Sequence, residues 1–256
     1  MRSIWKGAIS FGLVNIPVKL YSATQQSALS LDMVDKRDHA RIRYLRVNEN
    51  TGREVEWENI GKAYKLDDNY IVLDDEDFDK AAPEKSKIID VNNFVDEKDI
   101  DTIYFENSYY VEPEKSGVKA YALLREALKE SGKVGIAQFV MRTAETLTVL
   151  KPKDNLLVLS KIRFAEEVRS SEELVLPPKS EVKAAELKIA LTIIDQYSHE
   201  FDITQFKNEY SAALKKLIEA KASGKAPKVK KFKISPQKSQ DLMEQLKASL
   251  NKKKAI

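Results

Sequence analysis

The sequence predicts a mainly β protein with helices added: a barrel or sandwich comes first and a helical C-terminal region follows. Short β-branched and aromatic segments recur through the first 165 residues, with turn residues between them. Such evenly spaced short strands favour a barrel or sandwich over a βαβ sheet. Beyond residue 181 the apolar period changes from two to about 3.6, the spacing of a helix face.

Strands are predicted at 16–21 (IPVKLY), 41–47 (RIRYLRV), 70–73 (YIVL), 102–105 (TIYF) and 145–150 (ETLTVL). Turn residues at 50–52 (NTG) and 152–155 (PKDN) separate them. One helix interrupts this series. Ser116 is placed to cap it, Val118, Tyr121, Leu124 and Leu128 fall at helical spacing, and Gly132 stops it.

From Glu181 onward Leu187, Ala190, Leu191, Ile194 and Tyr197 form one stripe of a helix running to about His199. Asp202 and Gln205 have the spacing of a capping box. It opens a second helix with Phe206, Tyr210, Ala213, Leu214 and Leu217 on one face, ending near Gly224. The pair reads as an αα-hairpin. Residues 225–235 (KAPKVKKFKIS) form a basic linker with no core pattern. Ser235 and Pro236 then supply an N-cap and a first-turn proline, and Leu242, Met243, Leu246 and Leu250 make one apolar edge of a short last helix. The expected division is a core over 1–180, a helical domain over 181–224 and a basic tail over 225–256.

Composition narrows the function. The chain has 256 residues and no cysteine, which removes disulfides, cysteine–zinc sites and thiol chemistry and suits a reducing compartment. Residues 1–13 lack the apolar run of a signal peptide, and no window reaches the roughly 18 to 20 apolar residues of a membrane span. A soluble protein of the cytoplasm is expected. The net charge of +3 is unevenly placed: from Lys215 onward thirteen lysines face three acids, and the remainder holds 30 basic and 37 acidic residues. A polyanion would meet a basic tail on an acidic body. A merely solubilising tail has the same composition.

No enzyme signature is present. The phosphate loop G-x-x-x-x-G-K-[ST], the dinucleotide fingerprint G-x-G-x-x-G and the nucleophile elbow G-x-S-x-G are all missing. Of the two histidines, His39 lies in a charged stretch and His199 near a helix end, both expected at the surface. Asp75, Asp77 and Asp79 imitate the opening of a calcium loop, yet Lys80 stands where glycine is needed and Ser86 where glutamate is needed. That cluster reads as a solvated turn. No catalytic residue, metal or cofactor is expected, though an acidic nuclease or hydrolase site stays open because acids are plentiful.

Lys36, Arg37, Arg41, Arg43 and Arg46 place five positive charges within eleven residues, against Asp38 alone. On a strand Arg41 and Arg43 project from one face, where guanidinium groups suit phosphate oxygens and read no sequence. Arg53, Lys62 and Lys65 extend this basic character, and Lys228, Lys230, Lys231 and Lys233 supply it again in the tail. These twelve residues are the candidate DNA contacts. An exposed edge strand guarded by charge has the same pattern.

Longer motifs go further. The opening 1–23 (MRSIWKGAISFGLVNIPVKLYSA) is similar almost throughout to the N-terminal signature of bacterial Ku. Residues 41–44 (RIRY), 70–74 (YIVLD), 110–113 (YVEP), 119–124 (KAYALL), 132–137 (GKVGIA), 206–210 (FKNEY) and 241–250 (DLMEQLKASL) resemble the same family in the same order. The resemblance implies a β-barrel core with an inserted bridging arm at about 35–75. It further implies a homodimeric ring that holds double-stranded DNA ends in non-homologous end joining. It implies, too, an ATP-dependent partner ligase, ligase D, met through the C-terminal region; Leu242, Met243, Leu246 and Leu250 are the candidate contacts. Such a protein would be cytoplasmic, nucleoid-associated and non-catalytic. The rival reading is a general basic-tailed nucleoid protein with no preference for ends. Two departures stand out: many relatives carry Cys-x-x-Cys-Gly where this chain has 48–52 (NENTG), and 61–64 (GKAY) replaces the more usual Lys-Gly-Tyr-Glu.

Overall fold

In the computed structural model, residues 1–81, 87–141, 144–178, 181–224 and 246 are described. They form two compact units, Met1–Gln26 with Asp32–Arg169, and Ser27–Leu31 with the chain from Ser170 onward.

The first unit is built on β1 (Trp5–Phe11), β2 (Val14–Ser22), β5 (Ile88–Asp96), β6 (Phe105–Pro113), β7 (Lys133–Met141), β8 (Ala144–Lys153) and β9 (Leu156–Ile162). These close a barrel in the order β1-β2-β6-β9-β8-β7-β5. Every pairing is antiparallel except the seam, where β1 meets β5 in parallel over Ala8–Ser10 only. The seam needs a close approach. The Ala8 amide donates to the Lys87 carbonyl at 2.8 Å, and a Cβ on Gly7 would lie 2.2 Å from that oxygen.

Alternation in β2 sends Ile16, Val18 and Leu20 inward, and all three are fully buried with Ile9, Ile89, Leu150, Leu157 and Leu159. Helix α2 (Val118–Ser131) adds Tyr121, Leu124 and Leu128 to that core. Each such side chain contributes roughly 1.5–3 kcal/mol of burial. Gly132, at φ 65, ends the helix as its sequence position predicts.

Several expectations are corrected. Ser116 does not cap α2; a 3-10 turn at Lys115–Gly117 carries the N-cap on to Gly117, and Val118 is exposed. Of the segment 102–105 only Phe105 is in a strand, as the first residue of β6, because the Asp101 side chain accepts the Ile103 amide and coils Thr102–Tyr104 into a 3-10 turn. The strand expected at 41–47 is absent; only single bridges, Val34 to Arg41 and Val47 to Glu54, mark its ends. The acidic turn is a short helix, α1 (Asp75–Ala81), closed by reciprocal bonds between Asp74 and Asp77.

The second unit contains α3 (Ala184–Tyr197) and α4 (Glu209–Ala222). Asp202 caps only a one-turn 3-10 helix, because its carboxylate holds the Thr204 amide and hydroxyl. Asn208 accepts the Ser211 amide and starts α4 instead. In α3 the partly buried face is Glu186, Ile189, Ala190 and Ile193, so of the predicted stripe only Ala190 is partly buried, while Leu187, Leu191, Ile194 and Tyr197 stay exposed. Leu214 and Leu217 of α4 are partly buried as expected, while Phe206 and Tyr210 are exposed.

Lys228, Lys230, Lys231, Lys233, Leu242, Met243 and Leu250 lie outside the described residues; Leu246 is helical and partly buried. Among the described residues no helix is long and apolar enough to cross a membrane.

Candidate nucleic-acid interface

Between β2 and β5 the chain makes three successive hairpins, each exposed along nearly its whole length. In the first, Asp35 donates its amide to the Ala40 carbonyl and Ile42 to Met33, turning at 36–39 with His39 at φ 60. In the second, Asn48 donates to Arg53 and Val55 to Arg46. The third is β3 (Lys62–Leu66) with β4 (Asn69–Leu73), joined by a two-residue turn with Asp67 at φ 53.

The second turn shows what replaces the paired cysteines. The Asn48 side-chain oxygen accepts the amides of Asn50 and Thr51, both at 3.0 Å, and its carbonyl accepts Gly52. An Asx turn thus holds the loop with no thiol.

This fold has relatives. A family model described as the Ku70/Ku80 beta-barrel domain matches residues 10–189, which take in the end of β1, the other six barrel strands and all three hairpins. The chain belongs to the Ku family. The non-homologous end joining protein Ku of Archaeoglobus fulgidus is 40% identical, over 98% of both chains. That of Coxiella burnetii is 36% identical over 98% of this chain and 95% of its own, and that of Bacillus subtilis 38% identical over 98% and 82%.

On these three hairpins, Lys36, Arg37, Arg41, Arg43, Arg46, Arg53, Lys62 and Lys65 are all exposed. They are not equivalent. Arg37 is clamped by Asp35: its Nη2 lies 2.6 Å from Oδ2, and its Nε and amide donate to Oδ1 at 3.1 and 2.9 Å. The pairing holds the Asp35 carboxyl below its ordinary pKa and raises the guanidinium of Arg37. Arg41 reaches Asp32 Oδ1 at 3.1 Å. Arg46 stacks over Trp57 at 4.6 Å and Lys62 over Phe78 at 4.8 Å. Lys36, Arg43, Arg53 and Lys65 have no ion pair among the described residues. A count of charge over 36–46 missed Asp32 and Asp35, which lie just outside that window. Asp35 is readable as i,i+2 to Arg37; Asp32 meets Arg41 only because the hairpin folds back.

The register of the third hairpin separates its two lysines. Directly paired residues share a face, so Lys62, Tyr64 and Leu66 stand with Leu73, Ile71 and Asn69. Lys65 stands on the other face with Ala63, Tyr70 and Val72.

Proposed function

We propose that this chain binds ends of double-stranded DNA without reading sequence, as a homodimer whose arms close a ring around the duplex in non-homologous end joining. The arm carries this reading. It presents cations with no base-reading motif, as phosphate binding requires. Between residues 33 and 78 it also leaves fourteen large apolar side chains at least 40% exposed. A monomer's largest apolar patch covers only about 300–600 Å². A standard interface buries roughly 800 Å² on each partner, which fourteen such side chains reach at on the order of 60 Å² apiece. A second arm is the natural cover.

In this reading the core over 1–180 holds the barrel and the ring-forming arm at about 35–75. The helical domain over 181–224 and the tail over 225–256 follow. Lys36, Arg43, Arg53 and Lys65 lead the contacts to phosphate, supported by Lys228, Lys230, Lys231 and Lys233. The C-terminal region, with Leu242, Met243, Leu246 and Leu250, recruits and stimulates ligase D. The protein works in the cytoplasm on the nucleoid and catalyses nothing itself.

Light scattering on the full chain should give the mass of two copies. Two blunt duplexes of unrelated sequence should bind equally, whereas a base reader would separate them by roughly 1–3 kcal/mol per changed base pair. End-labelled DNA should survive Mg²⁺ and ATP unchanged, while joining by ligase D rises. A monomer at binding concentrations, or cleavage that copurifies with the chain, would contradict the reading.

A further inference from the structure

Two of the arm's arginines are already engaged by carboxylates of the same hairpin. Asp35, its side chain one-quarter exposed, grips an Arg37 side chain that is 88% exposed. Asp32 and Arg41 are both open to water, at 70% and 78%. A carboxylate and a phosphate present the same paired anionic oxygens to a guanidinium fork. A phosphate can therefore take these arginines only by displacing the aspartates.

We propose that Asp32 and Asp35 are built-in competitors of DNA phosphate for Arg41 and Arg37, and that they set how strongly the chain binds DNA. This rests on the DNA-binding reading above. An exposed ion pair is worth about 0.2–1 kcal/mol, so each aspartate weakens a phosphate contact without blocking it. The cost of displacing an aspartate is the same whichever DNA takes the arginine, so the aspartates set affinity and leave the preference for ends to the ring.

The pairs leave the salt dependence nearly untouched. The cation released when an arginine neutralises a phosphate comes from the atmosphere condensed on DNA, about 0.9 in the log–log slope, whether or not the arginine was paired beforehand. A lone exposed carboxylate lacks the charge density to hold a cation of its own. Asp32 and Asp35 therefore lower affinity without removing slope.

The test uses the full chain and its variants Asp32→Asn, Asp35→Asn and the double, titrated against a blunt duplex at several salt concentrations. Asparagine keeps a side-chain oxygen for the Arg37 amide, so the turn at 36–39 is retained. Asp32 has Arg41 as its one partner among the described residues, so its replacement leaves the turn untouched. Each single variant is expected to bind roughly 2- to 5-fold tighter at moderate salt. The log–log salt slope should stay close to that of wild type. Unchanged or weaker binding in Asp32→Asn would overturn the proposal. Wild-type binding to the duplex reports on the reading above; the difference between wild type and variant reports on the aspartates.

Discussion

Tyr121 joins the helix to the barrel through its hydroxyl. It donates to the Val111 carbonyl at 2.8 Å and accepts the Leu157 amide at 2.7 Å, bridging β6 and β9 where those residues pair. Burial pushes its pKa up, so the hydroxyl keeps its proton. Tyr121→Phe leaves a buried donor and acceptor unpaired and is expected to cost about 1–3 kcal/mol in denaturant unfolding. A change below about 0.5 kcal/mol would show that water replaces the hydroxyl. Glu106 is the second informative residue. A hydrogen bond from Lys161 at 2.7 Å, with Arg163 at 3.1 Å, holds its carboxyl below the ordinary value. A depressed carboxyl stabilises the fold above its unfolded pKa and loses that effect as pH falls through the folded one. Glu106→Gln should therefore melt lower than wild type at neutral pH, with the gap closing below about pH 4. A gap that widens in acid would contradict this sign. The helical spacing of Tyr121 was legible in the sequence. Its hydroxyl bridge was not, because it depends on which strands the helix meets.

At the scale of elements, legibility followed local chemistry. Residues 16–21 and 145–150 fall within β2 and β8, where β-branched alternation meets a buried face, and 70–73 falls within β4, which is exposed and held by its ladder to β3. The arm segment 41–47 has equal β propensity, but its neighbours pair for only two or three residues and no ladder forms. The predicted stripe of α3 failed for another reason: apolar residues lie on more than one of its faces, so periodicity did not select the one that packs. Within the arm, cross-strand register is more informative than charge count. Lys62 and Lys65 looked alike in sequence, yet they occupy opposite faces of the third hairpin. Lys62 is also held over the Phe78 ring, whereas Lys65 has no ion pair among the described residues. Lys65→Glu is accordingly expected to weaken duplex binding severalfold and flatten the salt slope by about 0.9. Lys62→Glu should leave both nearly unchanged and, by losing the Phe78 contact, disturb the arm instead. Equal losses in both variants, read by anisotropy at one salt concentration, would place both lysines on DNA.

For the whole molecule, the division of charge and the exposed arm have to be considered together. Thirteen lysines from Lys215 onward give the C-terminus a balance of +10 while the rest of the chain carries −7. Such a concentration of lysines can raise affinity for any DNA, but cations alone impose no requirement for an end. The requirement has to come from topology: a closed ring admits only DNA that can be threaded. The measurement that bears most directly on this compares a relaxed, covalently closed circle with the same molecule cut once, at equal salt. Ring closure predicts that full-length protein shifts the cut form, fails to shift the closed form, and recovers binding when that circle is then cut. Comparable affinity for the closed and cut forms would contradict the ring and leave a basic-tailed nucleoid protein in its place.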